Sequence, residues 1–174
     1  MRLVKSVAAV AAALAASVTF AQAYPSKPIR LVIPFAPGGS TDIVGRIMAA
    51  KLSPLLGQPV IVENRAGAGG SIGAAEIAKS PADGYTIGMG SVSTMGTNIV
   101  AYKNNKLDPV TQFTHITNLA SVPGIIIVNK SFPHQDYKSF IAALKANPGK
   151  YSYASSGAGG VGHLAMELFL VETG

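Results

Sequence analysis

The 174-residue sequence contains no cysteine, few aromatic residues and no cluster of like charges. Without cysteine the protein has no disulfides, so its stability must come from a buried core. Aromatic residues make up only 7% of the chain, and its 14 basic residues are scattered. Nucleic-acid binding, which relies on clustered basic residues, is therefore not supported. A net charge of +6 is compatible with an anionic solute and equally with an ordinary surface.

The N-terminus carries the one long apolar run, and its pattern is that of a secretory signal peptide. Met1–Lys5 is basic, Ser6–Phe20 is almost purely apolar, and Ala21–Ala23 reads A-x-A. The run is shorter than the roughly 20 residues that a membrane-spanning helix needs, which argues against a membrane anchor. We therefore expect residues 1–23 to be a signal peptide that is cleaved after Ala23, and the mature protein to be exported.

Strand patterns alternate with helix patterns in the part of the chain that follows. The predicted strands are Ile29–Phe35, Val60–Val62 and Tyr85–Met89. The first predicted helix is capped by Thr41 or Asp42, and the second opens at Ser71. Such alternation predicts an α/β protein with a parallel, doubly wound sheet. Ligands of these sheets bind beyond the carboxyl ends of the strands.

Loops rich in glycine and serine follow each of these strands, and a fourth follows later. They span Pro37–Asp42, Glu63–Gly70, Gly90–Asn98 and Ser155–Gly162. A helix that begins at such a loop offers free peptide N–H groups and a partial positive charge, so its natural guest is an anion. Because Arg65 is the only basic residue in these loops, recognition would depend on backbone N–H groups, bridging water and the hydroxyls of Ser40, Thr41, Ser91, Ser93 and Ser155.

Several side chains near these loops have two open interpretations. Asp42 is a helix cap or a contact to an ammonium group of the solute, and Asn64 and Arg65 bond the loop backbone or contact the ligand. The glycines of residues 67–73 are spaced one residue too far apart for a dinucleotide fingerprint. No nucleophile–base pair and no metal-ligand spacing is present, so neither catalysis nor a metal site is predicted. An exported enzyme that uses the loops as an oxyanion site remains the alternative.

The remainder of the chain reads as the start of a second unit. Strands are predicted at His115–Ser121, Gly124–Val128 and Tyr151–Ala154. A helix capped by Asp136 is predicted before Asn147, and another runs from His163 to the end of the chain.

At these loops the sequence resembles the Bug-type periplasmic receptors of tripartite tricarboxylate transporters. The resemblance spans the mature chain in order. Its segments are Tyr24–Gly39, Leu56–Gly70, Asp83–Thr86, Ala146–Gly149, Tyr153–Gly157, His163–Ala165 and Glu167–Phe169.

The resemblance implies a type II, Venus-flytrap periplasmic binding protein with two doubly wound lobes. The first lobe would cover residues 24–120, and residues 121–174 would begin a second, incomplete lobe. Family members are longer, so the chain is expected to be truncated and impaired in binding. The implied protein is a periplasmic monomer without cofactor or enzymatic activity. It would capture citrate, another di- or tricarboxylate, or an acidic amino acid, and deliver it to membrane permease subunits.

Carried over by position, the family's loops assign the ligand-binding residues. They are Phe35, Pro37, Gly38, Gly39, Ser40, Thr41, Asp42, Asn64, Gly67, Gly69, Gly70, Ser91, Ser93, Ser155, Ser156, Gly157 and His163. One departure concerns Gly160, which stands where the family usually has a hydroxyl residue, so a side-chain contact is expected to be lost there.

Overall fold

The computed structural model describes residues 24–134, 136–155 and 157–174. The predicted signal peptide and Ser156 lie outside the described residues. In chain order the elements are β1 (Ile29–Ile33), α1 (Ser40–Leu56), β2 (Val60–Asn64), a 3₁₀ turn (Ala68–Gly70), α2 (Ser71–Lys79), β3 (Thr86–Gly88), a π-helical segment (Ser93–Thr97), α3 (Asn98–Ala101), α4 (Tyr137–Ala146) and α5 (Val161–Thr173).

The three strands form a parallel sheet in the order β2–β1–β3. Ile29 pairs with Val60 on one side of β1, and Arg30 pairs with Thr86 on the other. The connection through α1 leads from β1 to its neighbour β2. The connection through α2 leads in the opposite direction, from β2 past β1 to β3. Since parallel crossovers are almost always right-handed, the two helices cover opposite faces. The predicted α/β, doubly wound architecture is therefore confirmed.

Alternate residues of β1 build the two sides of the core. Ile29, Leu31 and Ile33 are at most 3% exposed and pack with Ala49 of α1 and with Met89. Val32, which is fully buried, points to the other face of the sheet. The nearly continuous apolar sequence of β1 follows from this burial on both faces.

On the α2 face, glycines permit close approach between helix and sheet. A Cβ at Gly73 of α2 would lie 2.6 Å from Cα of Pro34, and one at Gly88 of β3 would lie 2.2 Å from Cδ1 of Ile77. Arg30 bridges the layers, because its Nη2 lies 2.8 Å from Oε2 of Glu63 on β2 and 2.8 Å from Oε1 of Glu76 on α2. These contacts fix where α2 begins, at the carboxyl edge of the sheet.

Local details of the first half differ from the sequence predictions. Helix α1 begins at Ser40 rather than after Thr41 or Asp42, with Gly39 as a cap residue that has no side chain to offer. Pro54 lies inside α1, which continues two residues beyond it to Leu56. The segment after β3, predicted as a loop up to Asn98, contains the π-helical segment and the start of α3.

The later half contains the predicted helices but not the predicted strands. Asp136 caps α4 by accepting a hydrogen bond from the Ser139 amide at 3.0 Å, as predicted. Helix α5 begins at Val161, two residues earlier than predicted. The strands predicted at 115–121, 124–128 and 151–154 are wrong: these residues have no strand partner in the described part of the chain and are exposed. No helix formed by the described residues is long and apolar enough to cross a bilayer.

Candidate functional site

The loop between β1 and α1 is held in place by the side chains of Asp42 and Asn64. Asp42 Oδ2 accepts hydrogen bonds from the Gly38 amide and from Arg46 Nε, both at 2.9 Å. Asn64 Nδ2 donates to Asp42 Oδ1 at 2.9 Å and to the carbonyl of Phe35 at 3.0 Å. This network spans both ends of the loop, so it presets the loop conformation.

The Asp42 carboxylate is buried, and its partners favour the charged form. The hydrogen bond from Arg46, followed by those from the Gly38 amide and the Asn64 side chain, lowers its pKa to about 2. It is therefore ionised at neutral pH, and each oxygen already accepts a hydrogen bond. Of the two interpretations left open by the sequence, the arrangement favours a structural role for Asp42 and backbone bonding for Asn64.

The second loop approaches the first at Gly70. Gly67, Gly69 and Gly70 all have positive φ angles, of 134°, 60° and 96°. A Cβ at Gly70 would lie 2.6 Å from Cγ2 of Thr94 and 3.0 Å from Cζ of Phe35. Glycine is thus required at this junction both by its backbone conformation and by lack of space. The first three glycine-rich loops therefore meet at Gly70.

The hydroxyl groups of the third loop form hydrogen bonds within the protein. The Ser91 amide donates to Thr94 Oγ1 at 2.9 Å, and the Thr94 amide donates to Ser91 Oγ at 3.3 Å. Ser93 is buried, and its Oγ accepts a hydrogen bond from the Val161 amide at 2.9 Å. The Ser93 hydroxyl therefore joins the third loop to the first residue of α5.

The fourth loop packs against the second and third. Thr97 Oγ1 donates to the Gly159 carbonyl at 3.1 Å, and the Tyr102 hydroxyl donates to the Ala158 carbonyl. A Cβ at Gly157 would lie 3.8 Å from the Gly69 amide nitrogen. The sequence placed only three loops at a common edge, whereas the structure brings all four together.

His163 lies in the first turn of α5 and braces the fourth loop. Its Nδ1 accepts a hydrogen bond from the Gly159 amide at 3.2 Å, and its Nε2 lies 3.6 Å from Glu167 Oε1. Its ring stacks on that of Tyr153, with a centroid distance of 6.4 Å. These contacts support a bracing role. Among the described residues, no cluster of three or more histidine, aspartate, glutamate or cysteine side chains could hold a metal ion.

Asn98 joins the second and third loops and was missed by the sequence analysis. It is fully buried, and its Nδ2 donates to the Gly69 carbonyl at 2.9 Å and to Ser71 Oγ at 3.0 Å. Its Oδ1 is buried without a hydrogen-bond partner in the described part of the chain. A signal existed in the sequence, since an asparagine at the end of a small, polar loop is typical of side chains that bond loop backbone.

The remaining predicted site residues fall into two groups. Pro37, Gly38, Gly39 and Ser40 are exposed, and Thr41 is half-buried beside them, so the turn before α1 presents backbone to solvent. Ser155 is also exposed, and its Oγ lies 3.4 Å from the Gly157 amide. Whether these groups contact a ligand stays a prediction.

This parallel α/β lobe, with glycine loops and the first turns of three helices at one edge, has the architecture of a solute-binding receptor. The family model for the tripartite tricarboxylate transporter family receptor, TctC, matches residues 44–174. Protein BugT of Bordetella pertussis is 38% identical over 164 residues, which are 94% of this chain and 50% of BugT. The chain belongs to the tripartite tricarboxylate transporter receptor family.

Solved structures agree with this family and with the fold. A periplasmic transporter is 51% identical, with a TM-score of 0.84 over 87% of this chain and 51% of its own. An R. palustris protein solved with adipate is 39% identical, with a TM-score of 0.83 over 86% of this chain and 50% of its own. MatC of Rhodopseudomonas palustris, solved with bound malate, is 30% identical, with a TM-score of 0.80 over 86% of this chain and 51% of its own.

These comparisons confirm the resemblance seen in the sequence and bear on the alternative. Members of this family are periplasmic solute-binding receptors, so the alternative of an exported enzyme is not supported. The chain spans about half the length of the curated relatives and solved structures that it matches.

Proposed function

We propose that this chain carries the carboxylate-gripping lobe of a periplasmic receptor for small organic acids. The observation that carries the proposal is the meeting of four glycine-rich loops at one edge of the sheet, joined by Gly70, Ser93 and Asn98. Two related structures contain dicarboxylates, adipate and malate. A chain with a net charge of +6 is suited to such a guest.

The carboxylate of the solute would be bound by peptide N–H groups and helix N-termini rather than by an arginine. Helices α1, α2 and α5 have 17, 9 and 13 residues and begin at Ser40, Ser71 and Val161 next to these loops. Each terminus contributes about 0.3–1 kcal/mol toward an anion. Three such termini contribute about 1–3 kcal/mol, which by itself corresponds to a dissociation constant of several millimolar or weaker. A two-lobed receptor reaches higher affinity by closing its second lobe over the solute.

The finer features of the proposal follow from the sequence and the family. The solute would be citrate, another di- or tricarboxylate, or an acidic amino acid, and membrane permease subunits would receive it. Residues 1–23 would direct export to the periplasm, and the mature protein would act as a monomer. Residues 24–120 would form the first lobe and residues 121–174 the start of the second. Gly160 would weaken the contacts of the second lobe with the solute, since glycine brings no hydroxyl to the fourth loop.

Titration of the mature chain, residues 24–174, tests this function. Adipate, malate and citrate are expected to bind with dissociation constants of several millimolar or weaker, measured by amide chemical shifts in the first two loops. Adipamide, which has the shape of adipate without its charge, is the control and should not bind. Equal binding of adipamide would contradict the anion site, and submicromolar binding of an acid would contradict the expected impairment.

A pair of glycine variants localises the binding. Gly70→Ala introduces a methyl group 2.6 Å from Thr94 Cγ2 at a φ of 96°, so it should separate the loops and abolish carboxylate binding. Gly96→Ala is the matched control, because a Cβ there meets nothing within 4 Å. If the two variants bind adipate equally, the loops are not the site.

A further inference from the structure

Arg65, the first residue after β2, has its guanidinium bound by two carboxylates. Its Nη2 donates to Oε2 of Glu63 at 3.3 Å, and its Nε lies 3.2 Å from Oε2 of Glu76 on α2. The sequence left open whether Arg65 bonds the loop backbone or contacts the ligand. The structure instead directs its side chain to the carboxylates of two neighbouring elements.

The same two carboxylates also bind Arg30 of β1, so four side chains form a closed network that we call the charge ring. Arg30 donates two hydrogen bonds to Glu63, from Nε to Oε1 at 3.0 Å and from Nη2 to Oε2 at 2.8 Å. Its Nη2 also donates to Oε1 of Glu76 at 2.8 Å. Paired hydrogen bonds of this kind fix the orientation of both groups. Glu76 thus binds Arg30 with one oxygen and Arg65 with the other.

The composition of the charge ring argues against a contact between Arg65 and the solute. Its members are two arginines and two glutamates, so their charges cancel. The hydrogen bond from Arg30 lowers the pKa of Glu63, so this carboxylate is ionised at neutral pH. A solute carboxylate would therefore compete for Arg65 with glutamates that are already in place.

The backbone of Arg65 lies where the second loop leaves the sheet. Its amide donates to the Ile33 carbonyl at 2.8 Å, which continues the pairing of β1 with β2. A Cβ at Gly73 of α2 would lie 2.7 Å from the Arg65 carbonyl oxygen. The ion pair with Glu76 adds a third connection, from the loop to the second turn of α2. Residues 66–75, which include the first turn of α2, are enclosed between the two members of this pair.

We propose that Arg65 is a positioning residue of the solute site. Through Glu63 and Glu76 it holds the second loop and the N-terminus of α2 in place, and it does not touch the solute. The proposal rests on the function proposed above, because a helix N-terminus stabilises an anion only where its free N–H groups face that anion. The contribution of one terminus corresponds to about a two- to fivefold change in dissociation constant.

Matched variants of the mature chain test this role through the dissociation constant for adipate. Arg65→Gln and Glu76→Gln should each raise it about two- to fivefold. The double variant should bind no more weakly than Arg65→Gln, because both changes break the same ion pair. Arg65→Lys keeps the charge but not the forked geometry, so it should restore part of the loss. Lys79→Gln removes the same charge from the exposed last turn of α2 and is the control, with binding expected to match wild type.

Amide chemical shifts recorded without any acid give a second readout. Glu76→Gln changes no residue of the second loop, yet it should shift the amides of Gly67, Gly69 and Gly70 more than Lys79→Gln does. Urea denaturation checks that the variants are folded, which is expected because part-exposed ion pairs contribute little to stability.

The two readouts separate this inference from the proposed function. If Arg65 contacted the solute, Glu76→Gln would free the guanidinium and tighten adipate binding, and that result would overturn the inference. Equal loop shifts in Glu76→Gln and Lys79→Gln would overturn it as well. Shifted loop amides in a chain whose wild type binds no acid would support the positioning of the loop by Arg65 and count only against the proposed function.

Discussion

At the scale of single residues, the polar side chains nearest the sheet edge shape the loops through hydrogen bonds within the chain. Asp42, Asn64, Ser93 and Asn98 each bond backbone or side-chain groups of another segment. The turn before α1, residues 37–40, is exposed and presents its backbone to solvent. Such a division gives rigidity to a site whose contacts to a solute come from the backbone.

Replacement of Asn64 by alanine tests the preset first loop. The change removes two donated hydrogen bonds and leaves the Phe35 carbonyl and the Asp42 carboxylate with fewer partners. Leaving part-buried polar groups unsatisfied costs about 1–3 kcal/mol. Urea denaturation should show this loss for Asn64→Ala. The exposed Asn104→Ala serves as the control and should change the free energy of unfolding little. A similar loss in both variants would contradict the role of Asn64.

The Asp42 carboxylate predicts a particular dependence of stability on pH. Its pKa is about 2 in the folded protein, against an ordinary value of 3.8. Because the folded-state pKa is the lower one, the carboxylate's contribution to stability is complete above the ordinary value and is lost as the pH falls toward 2. Asp42→Asn should therefore be less stable than wild type at pH 7, and the gap should narrow between pH 4 and pH 2.

Urea titrations at pH 7, 4, 3 and 2 measure that gap. Asn104→Ala, which changes an exposed residue without a charge, is the control and should show a small and nearly constant difference. A gap for Asp42→Asn that is as wide at pH 2 as at pH 7 would show that the carboxylate does not act through its ionised form.

At the scale of elements, the sequence predicted what depends on local pattern. The apolar run of β1, the helix that follows the first loop and the Asp136 cap of α4 are all encoded by neighbouring residues, and all are confirmed. The strands predicted at 115–121 and 124–128 failed because a strand also requires a neighbour with which to pair, and none is present among the described residues. Asn98 was missed because its partners, Gly69 and Ser71, are distant in sequence.

Two helical glycines should respond in opposite ways to the same substitution. Gly73→Ala places a methyl group 2.6 Å from Pro34 Cα and 2.7 Å from the Arg65 carbonyl oxygen, both of them backbone. Such overpacking costs about 1–3 kcal/mol, more than the gain of up to about 1 kcal/mol in helix propensity. At Gly162 the nearest atom is 4.0 Å away, so Gly162→Ala should keep that gain.

Denaturation midpoints of the two variants test the close packing of α2 on the sheet. The midpoint should fall for Gly73→Ala and stay equal or rise for Gly162→Ala. If both midpoints rise, helix propensity alone governs these positions and α2 does not lie tightly on the sheet.

At the scale of the whole molecule, order is concentrated in the first half of the described chain. β1 is bonded on both sides and covered by α1 and α2, whereas residues 116–128 are exposed and unpaired among the described residues. Amide hydrogen exchange should therefore be slowest in β1, with opening free energies close to that of global unfolding. Residues 116–128 should exchange near the rate of an unfolded peptide. Equal protection of β1 and of residues 116–128 would contradict this unequal distribution of order.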